Sequence, residues 1–218
     1  MNFLPFEQLR KQLEKQYENA VYSTELAWSE TELKSAWEEH KRANPHEERL
    51  LARAFLISLI LRHAPVAVEK YNPFPGKFQT FDMLLEDMYS GFADAEKKIP
   101  GVVSYGQSRE HGCGWMIDRS HAAPDWKNIA KLGLPGLIKR AEAGNSPFHK
   151  AVKMVYEALA EFCRRVAVIN DNPVYAAIAE RAPESLHEAF ALAAFKNTFR
   201  KAFNSFAGFA MVDSTSLM

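Results

Sequence analysis

The stretch PHEERLLARAFLISLILRHAP runs between two prolines, Pro45 and Pro65, and past Leu50 it is apolar on most of its faces. A helix of that kind has no solvent side, so the rest of the chain has to surround it. Its acids stand first and its bases last, the arrangement that a helix dipole favours. The continuous apolar run, Ala54 to Leu61, is closed by Arg53 and Arg62 and falls far short of the roughly 20 residues that span a bilayer. The segment is therefore expected to be a buried helix in a water-soluble core. With 218 residues, 47% of them hydrophobic, the chain is long enough to bury about 70% of the surface its unfolded form exposes.

Amphipathic helices are expected to supply the surroundings. Phe6, Leu9, Leu13 and Tyr17 recur at three- and four-residue steps among charged and amide side chains. Thr24 opens a second helical stretch, and SETELKSAWEEHKRAN follows, with Ser29 and Thr31 as caps and Pro45 as its stop. Pro73, Pro75 and Gly76 mark a turn, after which FDMLLEDMYSGFADAEKKIP is helical again as far as Pro100. In DWKNIAKLGLPGLIKRAEAG, Trp126, Ile129, Leu132, Leu134 and Leu137 have near-helical spacing, while Gly133, Pro135 and Gly136 break or kink the helix. SPFHKAVKMVYEALAEFCRRVAVIN has Ser146 as N-cap, Pro147 at the first helical position and Asn170 near its end. Ser185 and Glu188 form an S-x-x-E capping box before an apolar run, and NSFAGFAMVDSTSLM is too apolar for a solvated tail. The pattern predicts a mainly α fold of six to eight helices with at most a few short strands, read as one unit over residues 1–218.

Lys plus Arg and Asp plus Glu stand at 27 each, so no net basic field gathers phosphates, and nucleic acid is not an expected partner. Two cysteines, Cys113 and Cys163, and no signal-peptide pattern point to reduced thiols in a cytoplasmic protein without a membrane partner. The richest chemistry lies in GQSREHGCGWMIDRSHAAPDW, Gly106 to Trp126. His111, Cys113, Asp118 and His121 number the four ligands of a closed zinc site, yet H-x-C-x(7)-H matches no common knuckle, and no metal site is assigned. Arg109, His111 and Arg119 stand near Cys113 and would activate its thiol if they also met it in space; a tight turn between two glycines is the simpler reading.

His121 stands just ahead of Pro124 and Asp125, which start a helix. Its imidazole would project from a rigid junction, where scaffolds present catalytic groups, although a cap or a backbone hydrogen bond would also account for it. Cys163 reads as a core or boundary thiol. His40, His46, His63, His149 and His187 read as surface or capping residues, and Trp28, Trp37, Trp115 and Trp126 as core anchors. Glu38 with Glu39 and Glu47 with Glu48 are adjacent, diverge by about 100° on a helix, and belong to solvated faces. No phosphate loop, Ser elbow or dinucleotide fingerprint occurs.

RSHAAPDWKNIAKLGLPGLIKRAEA resembles the N-terminal part of the glycyl radical enzymes of the pyruvate formate-lyase-like group, in which a Gly/Ser-His step, a Pro-Asp-aromatic step and a K-x-G-L-x-G-I/L helix follow one another. The matching residues are Ser120-His121, Pro124-Asp125-Trp126 and Lys131 to Leu137. LLARAFLISLILRHAPVAVEKYNPFPGKF is similar to the family's early helix and the strand it leads to, here ending at Pro75-Gly76-Lys77. ERAPESLHEAFALAAF is similar to its R-P-P-x-T/S-F/L-x-E-A-x-Q helix, so the likeness runs over about residues 50–195.

The resemblance implies the helical N-terminal part of a glycyl radical enzyme α/β barrel. In the intact family it implies a lyase or dehydratase acting on a small hydroxylated or carboxylated substrate. Such enzymes hold a radical on a C-terminal glycine and pass it to a barrel cysteine after activation by an S-adenosylmethionine iron-sulfur enzyme; no cofactor is expected on this chain itself. His121 is the matching position for a substrate hydrogen bond or acid/base group. RRVAVI, Arg164 to Ile169, lacks the glycine of the family's R-V-x-G-Y loop, and neither Cys113 nor Cys163 matches the thiyl position. The fragment is accordingly expected to be inactive without a missing C-terminal portion or a full-length homologue. Two other readings stand beside it: a stand-alone helical interaction or regulatory module derived from that region, docking or self-associating through FNSFAGFAMV, and an independent enzyme using His121 with Cys113.

Overall fold

The Pro45–Pro65 stretch forms the buried helix that its composition demands. The computed structural model describes residues 5–18, 27–67, 77–84, 86–87 and 125–193. Its helices are α1 (Phe6–Glu18), α2 (Glu30–Ala43), α3 (Arg49–His63), α4 (Trp126–Glu142), α5 (Pro147–Asn170) and α6 (Pro173–Glu180), with helical turns also at 83–84 and 86–87 and a further helix over 186–193. Two two-residue strands, β1 (Val66–Ala67) and β2 (Lys77–Phe78), pair antiparallel with Val66 opposite Phe78. The mainly α expectation holds for the described residues. The start of the expected helix from Thr24, the Pro73–Gly76 turn, the stretch from Met88 to Pro100 and the apolar tail lie outside them, while Ala27 and Trp28, where the Thr24 helix would continue, are not helical.

In α3, Ala54 and every residue from Leu56 to Leu61 are buried, and the single polar side chain among them, Ser58, donates to the Phe55 carbonyl at 2.9 Å. α3 lies along α5, the longest described helix; α4 and α6 flank α5, α2 packs on α3, and α4 touches α6. Val155, Leu159, Phe162 and Val166 are buried along α5 at four-, three- and four-residue steps. One end of α3 departs from the sequence reading. Glu47 and Glu48 precede the helix, whose first turn holds no acid, and Glu48 is an N-cap without a side-chain cap bond. The last turn does carry bases, Arg62 and His63.

The capping residues act largely where the sequence puts them. Ser29 and Glu32 close a reciprocal capping box on α2, whereas Thr31 lies inside the helix and caps nothing. Ser146 accepts from the His149 N–H at the start of α5, with Pro147 at the first position, where its missing N–H costs no helix bond. Asp171 ends α5 in the left-handed region at φ 47°, and the Asn172 side chain then accepts from the Val174 N–H to start α6. At Ser185 half of the expected box forms. The Ser185 hydroxyl accepts from the Glu188 N–H at 3.2 Å, while the Glu188 carboxylate accepts chiefly from Arg181 and the Glu184 N–H, with the Ser185 backbone the weakest of its partners.

The kink expected in α4 sits at Gly133, at φ 61° and ψ −175°. Two reasons make glycine necessary there. The left-handed φ disfavours a side chain, and a Cβ at this position would lie 2.7 Å from the Ala182 Cα. Pro135 then falls in the first turn of the second half, where no backbone partner is lost. Ile129, Leu134 and Leu137 are buried around the kink, but Trp126, read above as a core anchor, is 40% exposed at the helix start. No helix among the described residues is long and apolar enough to cross a membrane. Gly133→Ala combines backbone strain with a backbone clash and should destabilise the fold by about 2 kcal/mol or more, against about 1 kcal/mol for Ser29→Ala, both measured as shifts in urea midpoint at unchanged slope.

Candidate functional site

The residues that the sequence singles out for chemistry, Arg109, His111, Cys113, Asp118, Arg119 and His121, lie outside the described residues, and so does Trp115. What is described is the point where that stretch enters the bundle. Four positions after His121, Asp125 caps α4: its carboxylate accepts the Asn128 N–H at 3.1 Å and the Asn128 side-chain amide at 2.5 Å. Asp125 thus opens a capped helix start, beside the exposed Trp126 ring, and seven residues after Trp126 α4 turns at Gly133 against Ala182. A cap of this kind fixes direction, which any catalytic residue just upstream would need.

The described thiol has no reactive setting. Cys163 is fully buried on α5, and burial pushes its thiol well above the ordinary range, with Arg164 opposing only in part. Burial likewise raises Tyr156 and Tyr175, each to about 12. These are core groups, as the sequence reading of Cys163 has it. Among the described residues no group of three His, Cys, Asp or Glu side chains is placed to hold a metal ion.

Polar clusters are built into the bundle, and three of them bear on the residues discussed above. At the C-terminal end of α3, Arg165 of α5 donates from its two terminal nitrogens to the carbonyls of Leu61 and Ala64, both at 2.8 Å. Its Nε is buried without a partner, and burial lowers its pKa to about 10, still far above neutrality. Arg62 grips Glu161 with two nitrogens, at 2.6 and 3.2 Å, and the His63 ring stacks on Trp28 with centroids 3.7 Å apart. His63 is held below the ordinary histidine value first by burial and then by the charges of Arg165 and Arg62.

At the other end of the same helix pair, His40 Nε2 lies 2.7 Å from the Glu47 carboxylate and Nδ1 lies 3.4 Å from the Asn44 amide, while the ring stacks on Phe55 at 3.6 Å. Both ring nitrogens are occupied, so this His–Glu pair ties structure together and offers no free base. The third cluster is the fork of Arg181 on Glu188, with contacts of 2.8 and 2.9 Å, which braces the residues that Gly133 packs against. Each of these corrects the sequence reading. His40 and His63 are half-buried stacking partners, not surface residues, and Glu47 is His40's partner, not part of a solvated face. The charged and stacking partners of these residues stand 7 or more positions away in sequence, and those of Arg165 as many as 104, separations that no local motif records.

No protein-family model matches the chain, and no curated protein matches it.

Two measurements check the electrostatics. The Arg181 fork, followed by the Glu184 N–H, holds Glu188 down at about 2 from an ordinary 4.5. That depressed value makes its contribution present above about pH 4.5 and lost as pH falls towards about 2, so Glu188→Gln should flatten the acid limb of a stability–pH curve over that window. In a Cys113→Ser background, Cys163 should stay unreactive to a thiol reagent in the native protein and react only at the rate of unfolding.

Proposed function

We propose that the chain is the N-terminal region of a glycyl radical lyase or dehydratase. In this reading it is a helical scaffold that contributes His121 to a pocket for a small hydroxylated or carboxylated substrate, and it is inactive alone. The observation that carries this reading is the junction at Gly133. The K-x-G-L-x-G-L segment and the segment running into ERAPESLHEAF resemble one family at two separate places in the sequence, and the two pack backbone against Cα there, with room for glycine only. The role of His121 follows from the Ser-His step and from the rigid cap at Asp125 that receives its strand of chain.

The chemistry in this reading comes from outside the described bundle. Cys163 is sealed in the core and its segment carries no radical glycine, so the hydrogen-abstracting cysteine and the glycyl loop belong to residues that follow in the full enzyme. One observation favours a second reading, an interaction module derived from the same region. Leu186 and Phe190, one turn apart on the helix over 186–193, are 74% and 65% exposed.

The reading frame beyond the codon for Met218 tests the proposal. It should encode a central cysteine and an R-V-x-G-Y loop, and the chain extended through it should give a glycyl radical doublet by electron paramagnetic resonance after anaerobic treatment with a radical S-adenosylmethionine activase. The 218-residue chain alone should give none. In the extended enzyme His121→Ala should lower kcat about 100-fold or more, the usual effect of losing a positioned acid or base. A downstream frame without those elements, or an extended chain with no doublet, overturns the proposal. The module reading then requires a complex on size exclusion that the pair Leu186→Ser and Phe190→Ser disperses.

A further inference from the structure

The helices α2 and α3 form a hairpin that is tied at both ends by a histidine stacked on an aromatic ring. At the loop end, His40 of α2 lies on Phe55 of α3 and reaches across the turn to Glu47. At the open end, His63, the last residue of α3, lies on Trp28 at an interplanar angle of 13°, and the Trp28 N–H donates to the His63 carbonyl at 2.8 Å. Trp28 directly precedes Ser29, the cap of α2, so this second tie fixes where α2 begins. Between the ties, α2 covers the core with Leu33 and Trp37, both buried.

The two ties meet opposite electrostatic surroundings. His40 faces a carboxylate, a partner that accepts from the imidazole and attracts the imidazolium. His63 faces cations. A histidine at a helix C-terminus ordinarily gains from the free carbonyls, but here Arg165 already occupies those of Leu61 and Ala64, and its charge, after burial, opposes protonation of the ring. Among the described residues, the charged groups that act on the ring are Arg62 on α3 and Arg165 and Glu161 on α5, and Glu161, the one acid of the three, is already gripped by Arg62. The 27–29 segment adds only the indole face, whose attraction for a cation is modest at a half-exposed site.

We propose that α2 is an acid-released flap, hinged on the His40–Glu47 tie and latched by the stack of Trp28 on His63. Protonating His63 adds a positive charge to a half-buried corner that already holds two cations against one carboxylate, while the His40–Glu47 tie lies at the other end of the hairpin. The sign follows from the direction of the shift. His63 is easier to protonate when the latch is open, so latching is fully favourable above the ordinary histidine value of about 6.5 and weakens as pH falls below it. Release swings the N-terminal half of α2 away from α3 and uncovers Leu33 and Trp37. Among the described residues, the backbone hydrogen bond from Trp28 to the His63 carbonyl and the pairing of Lys34 with Glu86 are polar contacts that resist the opening.

Amide hydrogen exchange on the full chain, read by mass spectrometry at about pH 8 and about pH 5 and corrected for the intrinsic pH dependence of exchange, tests the flap. In the wild type, amides over 27–39 should lose protection at the acid pH while those of α3 and α5 keep theirs. Trp28→Ala should lose that protection at both values. His63→Phe, which keeps an aromatic partner but cannot be charged, should retain it at both. Should His63→Phe fail to fold, Arg62→Gln serves in its place: it removes one cation and frees Glu161 for the ring, so the acid response should weaken. Uniform protection in the wild type, simultaneous loss across α2, α3 and α5, an acid response that persists in His63→Phe, or one that Arg62→Gln leaves unchanged would each overturn the proposal.

Discussion

Arg165 is the interaction on which the arrangement of the bundle depends. The most apolar helix, α3, is buried almost to its end, and a helix end has carbonyls that its own backbone cannot satisfy. Water would normally take them. Here the guanidinium of α5 does, donating to Leu61 and Ala64 at once, a two-pronged geometry that a lysine ammonium on a single stem could not reproduce. The side chain gives up one hydrogen bond, at Nε, and part of its hydration to do this. With the Arg62–Glu161 pair beside it, the contact sets the register of α3 on α5, and the remaining helices take their places from those two.

Local rules carry a good part of this fold. Ser29, Ser146 and Pro147 start helices where their chemistry says they should, and the Gly-x-Pro-Gly of 133–136 does kink α4. Each of those features is decided within four residues by hydrogen bonds or allowed dihedrals, so the sequence exposes it. The misread features depend on distant partners. Glu188 has the spacing of a capping box, but Arg181 offers it a two-pronged cationic partner and wins. Glu47 stands next to Glu48 as if on a solvated face, yet the turn after Asn44 brings it onto His40. Trp126 has the right spacing and hydrophobicity for the core and remains two-fifths exposed because it lies at the very start of its helix.

Chemistry and scaffold are separated along the chain. The described residues hold a buried thiol, buried phenols and histidines whose nitrogens or faces are taken, all suited to holding shape. The residues that the sequence singles out for chemistry, His121 among them, precede α4 in the chain, and the Asp125 cap marks where the described helix begins. A rigid frame with its reactive groups on an adjoining connection is a common division of labour in proteins. It explains why the hydrophobic pattern forecasts the frame while the site rests on resemblance.

The seam between α3 and α5 also dictates a timetable. Its hydrogen bonds join residues 99 to 104 positions apart. At about 5–20 residues per second, a ribosome that has finished α3 needs on the order of 5–20 s to deliver the helix that covers it. For that interval the apolar surface of α3 lacks the helix against which it chiefly packs. The nascent protein therefore carries α3 through those seconds without its main partner, and whatever shields that helix during synthesis bears on how much of the product escapes aggregation.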